Sequence, residues 1–181
     1  GLWQTRRHPR SISTVWPPMI PFCLILGDST AIGTAQALAA QGIRCEVHAR
    51  VGAGSAEIER RVSGASPATV ALIALGSNDA ASPALATNLV VIRRKTTAVR
   101  VAWLAPYDLR AASIVTSIAA RFGDMVIPLR AQPSRDGIHP VSYRPVATSL
   151  RWGAAAPVRA AVAPAPIARA TVLMMSGPLA P

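Results

Sequence analysis

Between Met19 and Arg151, short continuous apolar runs alternate with amphipathic stretches of helical length, and this rhythm admits very few architectures. Phe22 to Leu26 is an apolar run of strand length, followed by a helix from about Thr30 to Gln41 that stops at Gly42. Arg44 to Ala49 reads as a second strand. Ser55 to Val62 reads as a helix with Ser55 as N-cap and Ile58 as apolar anchor. Thr69 to Leu75, apolar on both faces, is a buried strand. A helix over Ala84–Thr96, a strand at Arg100–Leu104, a helix at Leu109–Phe122, a strand at Met125–Leu129 and a last helix from about Pro140 to Leu150 complete the series. Five strands alternating with helices predict an α/β chain, a three-layer α/β/α sandwich around an open five-stranded parallel sheet. In such sheets ligands collect at the carboxyl ends of the strands, where strand order reverses. Chemistry is therefore to be sought in the residues that follow each strand.

The 181 residues suit one domain. A hydrophobic share of 51% supplies a core, built from Ala, Val, Leu and Ile because aromatics make up only 4%. Residues 1–18 form a basic extension and residues 152–181 an Ala/Pro-rich tail; both are expected to be disordered, with the domain at 19–151. The longest apolar runs, Ala68–Leu75 and Ile20–Leu26, are too short to span a bilayer, so no membrane span is expected. The net charge of +11 points towards nucleic acid, but its distribution does not. Arg6, Arg7, Arg10, Arg151, Arg159 and Arg169 lie in the two acid-free ends, and no stacking aromatics interleave the basic residues. No nucleic-acid partner is expected.

Arg6-Arg7 followed by Met19–Leu26 imitates a secretory signal. The apolar stretch is short, contains Pro21 and runs into Gly27-Asp28-Ser29 without a small-residue cleavage site, so a cytoplasmic location is expected. Cys23 and Cys45 have no metal-ligand spacing and read as two buried thiols in hydrophobic strands. A bridge between neighbouring strands is geometrically open, but sequence does not reveal it.

Four blocks follow the strands: Gly27-Asp28-Ser29, Val51-Gly52-Ala53-Gly54-Ser55, Gly76-Ser77-Asn78-Asp79, and Asp136-Gly137-Ile138-His139-Pro140. Each alone reads as a turn. Together, in this order and each after a strand, they resemble the SGNH subgroup of the GDSL hydrolases over roughly Ile20 to Leu150. The resemblance implies a flavodoxin-like SGNH hydrolase fold and a serine esterase. Thr30 stands where the family name expects Leu.

The residue chemistry leads the same way. Ser29, at a strand-to-helix turn, suits a nucleophile and, through its N–H, an oxyanion donor. Of three histidines, His8 lies in the N-terminal extension and His48 within a strand, which leaves His139 as the base. Asp136, three residues earlier, can turn back to accept from its Nδ1–H. Asn78 offers a side-chain amide to the oxyanion, and the loop after the second strand a backbone N–H. The family uses one glycine in that block; Gly52 and Gly54 compete, and counting back from the next helix favours Gly52. Asp28 and Asp79 are expected to hold loop geometry, and Arg50 and Arg135 to be solvated, though either is placed to meet an anionic substrate group. Val141, Tyr143 and Val146 are available to pack the last helix.

The expected function is hydrolysis of small-acyl esters, such as acetyl groups on carbohydrate, through an acyl-enzyme on Ser29, with neither metal nor organic cofactor. The partner is a small-molecule or carbohydrate ester. Short connections leave little chain for a lid or an acyl tunnel. The alternatives are a non-catalytic carbohydrate- or ligand-binding relative of the same fold, or a longer-chain thioesterase- or lysophospholipase-like hydrolase. A nucleotide-binding reading lacks a glycine-rich phosphate loop after the first strand.

Overall fold

The computed structural model describes residues 22–152. The expected disorder of residues 1–18 and 152–181 lies outside them, Trp152 excepted. Five strands, β1 (Cys23–Gly27), β2 (Glu46–Ala49), β3 (Ala68–Ala74), β4 (Ala98–Ala105) and β5 (Met125–Pro128), form one parallel sheet in the order β2-β1-β3-β4-β5. The helices are α1 (Ser29–Ala39), α2 (Ser55–Arg61), α3 (Leu85–Lys95), α4 (Leu109–Phe122) and α5 (Arg144–Leu150). Strand alternation sends Leu24, Leu26, Ala71 and Ile73 to one face, where Ile58, Leu85, Leu89 and Val115 of α2, α3 and α4 cover them. Cys23, Ile25, Val70 and Leu72 face the other way, under Ala31 and Leu38 of α1 and Val146 and Leu150 of α5. This is the three-layer sandwich expected, and the strand order places the reversal between β1 and β3. No described helix is long and apolar enough to cross a membrane.

The rim at this reversal depends on Gly27. Its φ is +152° and a Cβ there would stand 2.0 Å from Ala74 O, so only glycine lets β1 end against β3. The next residue, Asp28, donates its N–H to Ala74 O at 3.1 Å and becomes the N-cap of α1. Its Oδ1 accepts from Thr30 N at 2.8 Å and from Thr30 Oγ1 at 2.7 Å. Thr30 thus supplies a second donor to the cap, which a Leu at this position could not.

Four expectations need correction. Cys23 and Cys45 are not free thiols but a disulfide, with Cα atoms 4.7 Å apart. The register of the parallel strands pairs Leu24 with Glu46, which brings the preceding residues side by side. Ser55 is not the N-cap of α2. Gly54 holds that position, and the capping carboxylate comes from Asp79, whose Oδ2 accepts from Ser55 N at 2.7 Å and Ser55 Oγ at 2.5 Å. The last helix begins at Arg144 instead of Pro140, because Pro140 bridges to Ser134 and Val141 N donates to Pro133 O at 2.8 Å. Val141 is consequently exposed, whereas Tyr143 does pack, laying its ring over Gly33 of α1. Finally, Trp152, assigned to the tail, is buried in the α1/α5 layer.

Candidate active site

Ser29 is the first residue of α1, on the rim where β1 ends, and is partly exposed. Its Oγ lies 2.8 Å from His139 Nε2. His139 Nδ1 lies 2.7 Å from Asp136 Oδ2. A carboxylate accepts only, so Nδ1 carries the proton, Nε2 is the acceptor, and the Ser29 hydroxyl donates to it.

The loop 134–140 after β5 is folded around its own polar groups. Asp136 Oδ1 accepts from His139 N at 2.8 Å and from Ile138 N at 2.9 Å, so one carboxylate binds both the backbone and the ring of His139. Those contacts, the His139 N–H first and its ring second, hold the Asp136 carboxyl far below the usual carboxylate range. It stays ionised opposite the imidazole at any pH where the protein would work. Ser134, which sequence reasoning missed, closes the loop: its hydroxyl donates to His139 O at 2.6 Å and accepts from Gly137 N at 2.9 Å. The available signal was a serine two residues before the aspartate, a common turn-forming spacing. The His139 and Asp136 side chains are 40% and 51% exposed, so this half of the site is open to water.

Two other loops meet beside Ser29. Asn78 Nδ2 donates to Ala53 O at 3.1 Å and to Asp28 Oδ2 at 3.3 Å. The amide therefore links the β3 loop, the β2 loop and the cap of α1. Both its protons have acceptors, and the contact to Asp28 is the longer of the two. Asp28 is fully buried, and burial pushes its carboxyl up despite the Thr30 donors. Gly52 is the third residue of a turn closed by Ala53 N donating to Arg50 O at 3.1 Å, and its φ of +75° requires glycine, while a Cβ there would meet nothing within 4 Å. Gly54 has an ordinary φ and lies against the Asp79 carboxylate instead. Asp28 and Asp79 thus hold loop geometry, as expected.

The remaining expectations separate. His8 lies outside the described residues. His48 Nε2 pairs with Glu46 Oε1 at 2.6 Å within β2 and takes no part in the site. Arg50 is consumed by a two-point ion pair with Glu57 and a bond to Val51 O at 2.9 Å. Arg135 lines an open depression of about 320 Å³ together with Asp136, His139, Pro140 and Val141. Among the described residues no group of three or more His, Cys, Asp or Glu side chains is placed to hold a metal ion.

No protein-family model matches this sequence, and no curated protein matches it either. Solved structures do. A carbohydrate acetylesterase from Sinorhizobium meliloti aligns with a TM-score of 0.56 at 14% identity, covering 71% of this chain and 97% of that one. A GDSL-like lipase from Bacteroides thetaiotaomicron gives 0.55 at 12% identity, covering 74% and 88%. The M. smegmatis aryl esterase gives 0.52 at 16% identity, covering 73% and 97%. The chain has the fold of these SGNH/GDSL-type esterases and lipases.

Proposed function

We propose that this chain is a serine ester hydrolase of the SGNH/GDSL type. The observation that carries the reading is the unbroken hydrogen-bonded series Ser29–His139–Asp136 on the rim of a sheet with that fold. His139 takes the Ser29 proton as Oγ attacks the acyl carbon, and Asp136 fixes the ring tautomer and stabilises the imidazolium. The imidazolium then protonates the departing alcohol. Water, deprotonated by the same nitrogen, releases the acid from Ser29. Ser29 N–H, Gly52 N–H and the Asn78 amide are the oxyanion donors, with Gly52 preferred to Gly54 because it stands in open space while Gly54 backs onto Asp79. These groups complete an acyl transfer without metal or organic cofactor.

Small acyl groups, acetyl above all, fit the short loops around Ser29, and an acetylated carbohydrate is the natural candidate. The fold neighbour described as a carbohydrate acetylesterase is consistent with this. The deciding experiment is turnover of p-nitrophenyl esters from acetyl to decanoyl. We expect kcat/KM to level or fall beyond butyryl, because each further methylene that found cover would add about 0.8 kcal/mol. A steady climb through octanoyl and decanoyl would replace the short-acyl reading with a lipase- or thioesterase-like one. Absence of turnover with every ester would overturn the hydrolase itself.

A further inference from the structure

The alcohol side of the substrate has a recognisable place, granted the hydrolase reading above. After the first step His139 Nε2 holds the proton and must deliver it to the leaving alcohol oxygen, so that oxygen passes within hydrogen-bond reach of the imidazole. His139 itself lines the open depression of about 320 Å³. The other walls are Asp136, Pro140 and Val141, with Arg135 at one side. The imidazole thus borders a surface that carries one guanidinium, one half-exposed carboxylate already bonded to His139, and the exposed Val141 side chain.

The charge pattern of the rim gives that guanidinium a role. Every acidic side chain nearby is already engaged within the chain. Asp28 holds Thr30 and Asn78, Asp79 holds Ser55, Asp108 caps α4 by accepting from Ala111 N, Glu57 holds Arg50 and Arg61, and Asp136 holds His139. Arg135 is exposed and is in no ion pair or hydrogen bond among the described residues. Arg50, the other arginine next to a motif, lacks this freedom. An unpaired guanidinium beside the general base is a two-point donor for a planar carboxylate.

We propose that Arg135 is the anion-binding element of a leaving-group subsite, and that the preferred substrates are short-acyl esters of alcohols that carry a carboxylate, such as acetylated sugar acids. The exposed Val141 side chain supports the body of the alcohol, while Arg135 takes its carboxylate. Because this contact lies away from the reacting carbon, it acts in ground state and transition state alike and belongs in KM. It is exposed, so it weakens as salt rises.

The test uses the acetyl esters of two phenols, 4-hydroxybenzoate and its methyl ester, which differ by one negative charge and one methyl group. The readout is the ratio of their kcat/KM values in the wild type and in Arg135→Gln, so that intrinsic ester reactivity cancels. The anionic-to-neutral ratio is expected to fall roughly 2- to 5-fold in the variant, through KM for the anionic ester. In the wild type the same ratio should shrink between 20 and 300 mM salt, values chosen to take the screening length from about 20 Å to below 10 Å. An unchanged ratio in Arg135→Gln, including one left unchanged because both activities drop together, overturns the subsite and leaves the hydrolase reading standing. If the wild type hydrolyses neither ester, the hydrolase reading fails and the subsite fails with it.

Discussion

The Cys23–Cys45 bridge ties the start of β1 to the residue before β2, the two strands whose far ends deliver Ser29 and the Gly52 loop. Replacing Cys23 by Ala and Cys45 by Ser together removes it without putting a hydroxyl in the fully buried position 23. The closed loop spans a sequence separation of 22 residues. Chain-entropy reasoning for that length gives about 11 cal/mol/K, or about 3.4 kcal/mol at 25 °C. For a domain of about 130 residues, unfolding entropy of about 0.27 kcal/mol/K converts this to a fall in Tm of about 12 °C. Urea and thermal unfolding followed by circular dichroism measure the loss, and reductant added to the wild type should reproduce it. Ester turnover should stay within about twofold of wild type, because the bridge lies at the opposite end of the strands from the site. A loss below about 1 kcal/mol would show that the unfolded chain gains little freedom when the bridge goes. A large drop in kcat in still-folded protein would show that the bridge sets the rim geometry.

Ser29→Ala should fold as the wild type does and lose ester turnover by about three orders of magnitude or more, read by unfolding curves and p-nitrophenyl acetate; near-normal activity would remove Ser29 from the mechanism. Asn78→Ala should lower kcat by about 10²- to 10³-fold with KM little changed, and a rise in KM alone would make Asn78 a substrate contact instead of an oxyanion donor. Asp28→Asn removes the cost of a buried carboxylate but sets two amide donors against each other, a cost of about 1–3 kcal/mol, so its net stability at pH 7 should lie within about 2 kcal/mol of wild type and its pH dependence is the telling readout. The raised carboxyl means that the native state prefers the protonated form, so ionised Asp28 costs stability above its folded pKa, and wild type should gain on the variant as pH falls towards 3.8. Its kcat should fall, since an amide at this position meets the Asn78 amide donor to donor; unfolding at pH 4 and 7 should show the variant losing ground to wild type at the lower pH, and kinetics checks the other half. A chain cut to residues 19–152 should keep its activity, and insolubility would show that a removed segment packs on the domain.

What was legible in the sequence was local. Helix α4 runs over the expected Leu109–Phe122 because both ends carry short-range signals: Asp108 accepts from Ala111 N at 2.8 Å, and Gly123 takes φ +70°. The Asp136–His139 pair was readable for the same reason, since three residues suffice to turn the carboxylate back onto the ring. What was missed is supplied from a distance. The cap of α2 comes from Asp79, 24 residues beyond Ser55. The disulfide depends on the register between two strands, which no window of sequence contains. The late start of α5 follows from the Ser134–Pro140 bridge, although Pro140 by itself looks like the first residue of a helix. Ser134 was passed over because its function is to hold the His139 carbonyl, a contact visible only once the loop is closed.

Asp28 is where fold and site make opposing demands. As a helix cap alone, an asparagine would serve as well and would spare the chain a fully buried carboxylate. Asparagine, however, has one acceptor oxygen, and here two are in use: Oδ1 takes both Thr30 donors while Oδ2 takes the Asn78 amide. Only a carboxylate can cap α1, which carries Ser29, and at the same time hold the amide of the β3 loop. Asn78 in turn holds Ala53 O, between Gly52 and Gly54, so the orientation of three rim loops passes through one buried charge. The contact to Asn78, at 3.3 Å, is also the weakest in the set, and in the proposed mechanism it is the one that would yield as negative charge develops on the substrate oxygen. A buried acid that is costly to stability, strong towards its own helix and loose towards the Asn78 amide is what the proposed mechanism would require of this position.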